Sequence, residues 1–163
     1  MIIYLINNHT LKVEDFYFQC VIGKNGTSNK KIEGDKKTPK GTYRLGDLYY
    51  RKDRNVEPET KLKCIEIKKN MGWCNDLKNK KKYNRLIKKN EKIKHEKLFR
   101  ADHLYDFFIP IKYNSDKIIL GKGSCIFLHL THNFKPTAGC IALKKQDFLI
   151  LLKLLKKNTK IKI

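Results

Sequence analysis

Short apolar runs alternate along the chain with polar, turn-forming stretches, and most of the runs are too short for helices. Residues 2–6 form one such run. Residues 11–13 and 16–22 flank Glu14 and Asp15, a pair suited to a tight turn, so a hairpin is predicted there. Gly23 and Gly26 break the pattern. Residues 34–41 are a second turn-rich stretch. Pro39 sets one φ angle in it and Gly41 supplies a positive one, before strand character returns over 42–48. Residues 50–60 are charged, contain Pro58 and predict a connecting loop. Further strands are predicted over 62–67, 107–113, 117–120, 124–130, 141–143 and 161–163. One stretch has the helical period. Phe148, Leu151, Leu152 and Leu155 recur at i, i+3, i+4 and i+7 and predict a helix over 145–156, with Asp147 near its start and Lys156 and Lys157 at its end. The expected fold is a mostly β single domain, 1–163, with one packed C-terminal helix.

The charge is lopsided, with 37 Lys and Arg against 16 Asp and Glu, a formal net charge of +21. Of the basic residues 32 are Lys and five are Arg, while Asn (13) and Ile (18) are also abundant. Lys, Asn and Ile share A/T-rich codons, so the excess reads as compositional drift. Such a field attracts polyanions. Base and phosphate recognition relies on arginine forks, so no specific nucleic-acid partner is expected. Residues 78–100 hold eleven basic groups and two acids, Glu91 and Glu96. That stretch is predicted to be a solvated surface excursion, not a second domain. No apolar run is long enough to span a bilayer. The start lacks the basic segment, long apolar stretch and cleavage site of a secretory signal, so the chain taken literally is cytoplasmic. A monomer is expected.

The five cysteines lack C-x-x-C spacing, and no histidines cluster around them, so no metal site is expected. Cys20 and Cys125 sit in apolar runs and read as packing residues. Cys140 is different. A predicted strand delivers His129, a loop containing Pro136 follows, and Gly139-Cys140 opens the next apolar stretch. An imidazole beside a thiol takes its proton to make the nucleophile and later protonates a leaving amine. Gly139 lets a carbonyl approach the backbone, and the amides of Gly139 and Cys140 are placed to face an oxyanion. The spacing alone fits a buried structural cysteine and a strand-end histidine equally well.

Residues 136–143 (PTAGCIAL), downstream of 126–129 (IFLH), resemble the L,D-transpeptidase catalytic-domain (YkuD) family, whose signature is a His, a loop, then Ser/Thr-x-Gly-Cys. Gly34-Asp35 followed by Thr38-Pro39-Lys40-Gly41-Thr42-Tyr43 is similar to the family's Thr-Pro-x-Gly-x-aromatic hairpin. Residues 72–76, 83–85 and 102–106 resemble a short bacterial subgroup. Ala138 stands where many members have His, and Ala142 where many have Arg. The resemblance implies a β-sandwich of mixed sheets and acyl transfer on peptidoglycan stem peptides, with no metal or organic cofactor. It implies Cys140 as nucleophile, His129 as general base and acid, and Gly139 at the oxyanion. Thr137, Trp73, Arg85 and His103 are candidate substrate-binding residues, with Arg85 pairing a stem-peptide carboxylate. His132 reads as a loop histidine facing solvent. The implied location is periplasm or cell wall. Two other readings stand beside this one: an L,D-carboxypeptidase using water as acceptor, and a non-catalytic basic module binding an anionic polymer.

Overall fold

The structure is a computed structural model that describes residues 1–89 and 92–163. Glu91, one of the two acids of the basic run, lies outside the described residues. The chain begins with an antiparallel meander of β1 (Ile2–Asn7), β2 (Thr10–Val13) and β3 (Phe16–Val21). Glu14 turns the hairpin at φ 49°. Alternation sends Ile3, Leu11, Val13, Phe18 and Cys20 inward and leaves Tyr4, Phe16 and Tyr17 exposed. Then come β4 (Thr27–Ser28) and β5 (Thr38–Pro39), a short parallel pair, β6 (Thr42–Arg44), β7 (Leu48–Tyr50) and β8 (Cys64–Glu66). After them come β9 (Met71–Cys74), β10 (Leu86–Lys88), β11 (His95–Lys97), β12 (Phe107–Pro110), β13 (Phe127–Leu130), β14 (Ile141–Leu143), α1 (Lys145–Leu154) and β15 (Lys160–Lys162).

Ten strands share one mixed sheet in the order β6-β15-β1-β2-β3-β14-β13-β12-β7-β8. The sheet curls until its edge meets its far side. Leu45, just past β6, bridges Ile111, just past β12, and Lys112 N–H donates to the Arg44 carbonyl. The curled sheet encloses one apolar cluster, which α1 joins through Phe148, Leu151 and Leu152. Strands β12 and β13 are buried on both faces, as continuous apolar runs require. Phe107, Ile109, Leu128 and Leu130 point into that cluster, while Phe108 and Phe127 point the other way into a second cluster with Tyr49, Trp73, Leu98, Tyr105 and Cys140.

The 78–100 stretch, expected to be a surface excursion, contributes Leu98 and Phe99 to that second cluster. β10 and β11 flank β9 in a three-stranded antiparallel sheet, and the segment around it closes over the outer face of β12 and β13. Its lysines stay outside while Tyr83 and Leu98 are fully buried. Asn84, held at φ 55°, ties the layer down. Its Oδ1 accepts from the Trp73 indole N–H (3.0 Å) and the Cys125 N–H (3.1 Å), and its Nδ2 donates to the Tyr113 and Asn114 carbonyls. Asn84→Ala strands two buried donors and is expected to cost about 2–4 kcal/mol, read as a lower urea midpoint.

Other boundaries move for local reasons. Residues 117–120 form no strand, because Asn114 Nδ2 and Oδ1 bond the Ile119 and Gly123 carbonyls and the Ile119 N–H, offering the backbone an alternative to a ladder. The strand predicted from 124 starts at Phe127, since Cys125 adopts φ 54°. The helix ends at Leu154 because Leu155 is already extended while still buried.

Candidate active site

β13 and β14 run parallel, with His129 opposite Ala142. Side chains alternate, so Phe127, His129, Cys140 and Ala142 share the outer face, and His129 and Cys140 are diagonal neighbours across adjacent strands. Both line a cleft of about 520 Å³ between this face, the 31–34 segment and the 96–105 segment, and each is only 7% exposed. The Cys140 thiol donates to the Cys125 carbonyl (3.2 Å), and its sulfur accepts the Phe127 N–H (3.3 Å). Burial pushes the thiol up to about 12, against the opposing pull of the Phe127 amide.

His129 Nδ1 lies 2.8 Å from the Leu130 carbonyl. A carbonyl only accepts, so Nδ1 carries the proton and Nε2 presents its lone pair. Burial lowers this imidazole from 6.5 to about 4, opposed by the Leu130 carbonyl. The resting pair is therefore a neutral thiol and a neutral imidazole. A base whose folded value lies below its unfolded value contributes stability that is complete above pH 6.5 and lost as pH falls toward 4. The protein is expected to lose roughly 3 kcal/mol across that window. Urea midpoints measured at pH 7 and pH 4.5 check this, and His129→Gln flattens the difference.

The backbone at Cys140 is set by two threonines. Thr137 Oγ1 accepts the Gly139 N–H (3.1 Å) and donates to the Cys140 carbonyl (2.6 Å). Thr38 Oγ1 donates to the Gly139 carbonyl and accepts the Gly23 N–H, both at 2.9 Å. Thr137 also bridges Gly23. Gly139 sits at φ 136°, and a Cβ there would lie 2.8 Å from the Lys37 carbonyl oxygen. The Gly139 N–H is thus committed to Thr137. Among the described residues the Cys140 N–H makes no hydrogen bond, so of the two amides expected at an oxyanion only that of Cys140 is free.

The cleft walls carry charge that sequence reading missed. Asp35 collects the Lys31 ammonium (2.7 Å) and the Ile32 and Lys37 N–H groups (2.9 Å each). Burial opposes its ionisation, yet those donors hold its carboxyl below the usual range. Glu33 accepts the Tyr83 and Ser124 hydroxyls. Opposite them, Tyr105 donates to Glu96 (3.1 Å) and its ring meets the His129 ring edge-on at 5.2 Å. Arg100 bridges Glu96 and Asp102. Cys125 packs against the second apolar cluster, as expected, and also lines the cleft. The spacing Glu96, Arg100, Asp102 was the one available signal for this wall. Among the described residues no His, Cys, Asp or Glu side chains are grouped as a metal ion would need.

Cys140, His129, Gly139 and Thr137 are brought together. Trp73 and Arg85 are not at this cleft. Trp73 is core, edge-on to the Tyr49 and Phe127 rings, and Arg85 is exposed beside it, lining a separate hollow of about 350 Å³. His103 stands in a neighbouring groove, where Asp106 takes its Nδ1 at 2.8 Å. His132 is exposed on the rim between that groove and the cleft, its ring 6.0 Å from that of His103.

Fold and site define a mostly β protein with a buried cysteine–histidine pair on the floor of a charged cleft. The chain belongs to the L,D-transpeptidase catalytic-domain family, YkuD, whose model matches residues 1–163, the whole chain. Membership supports a catalytic activity on peptidoglycan. Neither the curated proteins nor the solved structures gave a match.

Proposed function

We propose that the protein is an L,D-transpeptidase that acylates Cys140 with a peptidoglycan stem peptide and passes the acyl group to the amine of a second stem. The observation that carries this is the His129 imidazole, its Nδ1 held by the Leu130 carbonyl, on the same face as the Cys140 thiol in a chain of this family.

On substrate binding the thiol leaves the Cys125 carbonyl and gives its proton to His129 Nε2. The sulfur attacks the carbonyl carbon of the third residue, an L-configured centre. The oxyanion receives the free Cys140 N–H. The tetrahedral adduct collapses with cleavage of the C–N bond. His129 returns the proton to the departing amine, and D-Ala leaves. The thioester then meets the amine of a neighbouring stem, whose proton goes to His129 and from there to the released thiolate, forming a 3→3 cross-link. Phe127 N–H stabilises sulfur whenever it carries charge. Gly139, packed against the Lys37 carbonyl at φ 136°, sets the backbone that leads into Cys140, while Thr137 and Thr38 hold its peptide.

Incubation with disaccharide-tetrapeptide and product analysis tests this reading. A cross-linked dimer with release of D-Ala is expected. Tripeptide alone would replace the transpeptidase with an L,D-carboxypeptidase. Salt-sensitive binding without turnover would favour a basic binding module.

A further inference from the structure

Lys31 is a lysine with a 3%-exposed side chain on the wall of the cleft that holds Cys140. Lysines are seldom buried this deeply without a paired charge, and Asp35 supplies it at 2.7 Å. The side chain is fixed along its length. Gly123, at φ 102°, makes room for it, and a Cβ there would come within 2.9 Å of Lys31 Cε. The ammonium has three N–H donors. Among the described residues one goes to Asp35 and a second, at 3.4 Å, to the Ile32 carbonyl. The third has no partner.

Of the other charges that line the cleft, Lys135 is an exposed lysine on the loop before Pro136, and the remainder are engaged. Arg100 is taken by Glu96 and Asp102. Glu33 is taken by the Tyr83 and Ser124 hydroxyls, and Glu96 by Arg100 and Tyr105. Lys31 is thus a preorganised cation with an open donor beside the nucleophile. Its field also acts on the Cys140 thiol, favouring the thiolate.

We propose that Lys31 is a specificity residue that holds the terminal α-carboxylate of the leaving D-amino acid, so that the enzyme selects stems ending in a free carboxylate. This rests on the acyl-transfer reading above and adds to it the group by which the donor is recognised. A charge-assisted hydrogen bond is worth roughly 10- to 100-fold in rate. Asp35 acts as the positioning residue, keeping the ammonium in place.

The test follows thioester formation on Cys140 by intact-protein mass spectrometry, using the full chain and three tetrapeptides. One has a free terminal carboxylate, one is amidated at that carboxyl, and one is amidated only at the side-chain carboxyl of its third residue. The free acid and the side-chain amide are expected to react alike, and the terminal amide roughly 10- to 100-fold more slowly. In Lys31→Met both rates should fall with the loss of the lysine's field on the thiol, and the ratio of free-acid to terminal-amide rates should collapse to about one, while Lys31→Arg recovers part of the ratio. Equal rates for the terminal amide and the free acid in the unsubstituted protein would overturn the proposal, whether or not Lys31→Met folds. So would discrimination only against the side-chain amide, or an acid-to-amide ratio that survives Lys31→Met. No thioester from any of the three would instead overturn the acyl-transfer reading itself.

Discussion

Cys140→Ser is expected to abolish acyl transfer, with a fall of about 10⁴-fold or more in thioester or ester formation. Several features combine against the hydroxyl. Cys140 lies on the cleft floor, and its thiol is already pushed up to about 12 by burial. His129, lowered to about 4, is a weak base. A sulfur nucleophile works with such a partner because it is polarizable and still far more acidic than an alcohol. Serine would keep the size of the group and a hydrogen bond to the Cys125 carbonyl, so the fold should survive. An unchanged thermal midpoint together with lost turnover is the expected combination.

Gly139→Ala is the second large effect, and it acts on structure and activity together. The new Cβ would sit 2.8 Å from the Lys37 carbonyl oxygen, a backbone atom, at a residue with φ 136°. Neither strain is relieved by a side-chain rotation. The segment must move, and it is tied to Thr38, Thr137 and Gly23. A cost of about 2–4 kcal/mol is expected from strain and overpacking. A shift near 1 Å at Cys140 should lower thioester formation by about 100-fold. Gly26→Ala separates the causes. Gly26 has φ 73°, and a Cβ there meets nothing within 4 Å. It should cost only about 1 kcal/mol and leave activity unchanged.

The elements legible in the sequence were those with clean periodicity or bounding turns. β2 alternates polar and apolar residues and α1 repeats its leucines at helical spacing, so each announces its buried face, while β1 and β3 were legible as short apolar runs bounded by turns. The pair on β13 and β14 was legible for a related reason. The residues between His129 and Cys140 include a loop that brings two short apolar strands side by side. The 78–100 segment hid its structure under lysine. Its strands β10 and β11 are three residues each, too short for either period to develop. What it buries are single residues, Tyr83 and Leu98, whose partners are far away in the chain. Lys31 was illegible for the same reason. Its role comes from packing against Gly123 and from opening onto the cleft of Cys140, neither of which has a sequence pattern. Trp73 and Arg85 lie in stretches whose resemblance to a family subgroup suggested substrate binding. The structure uses Trp73 to build the layer over β12 and β13, and sets both residues away from the cleft.

The most direct test of the central claim is the intact mass of the protein after incubation with a free tetrapeptide stem, with peptide mapping of the modified residue. The account predicts one adduct, equal to the stem less its terminal D-Ala, on Cys140, absent from Cys140→Ser and strongly reduced in His129→Gln. An adduct on Cys125 in place of Cys140, or turnover that persists without Cys140, would contradict it.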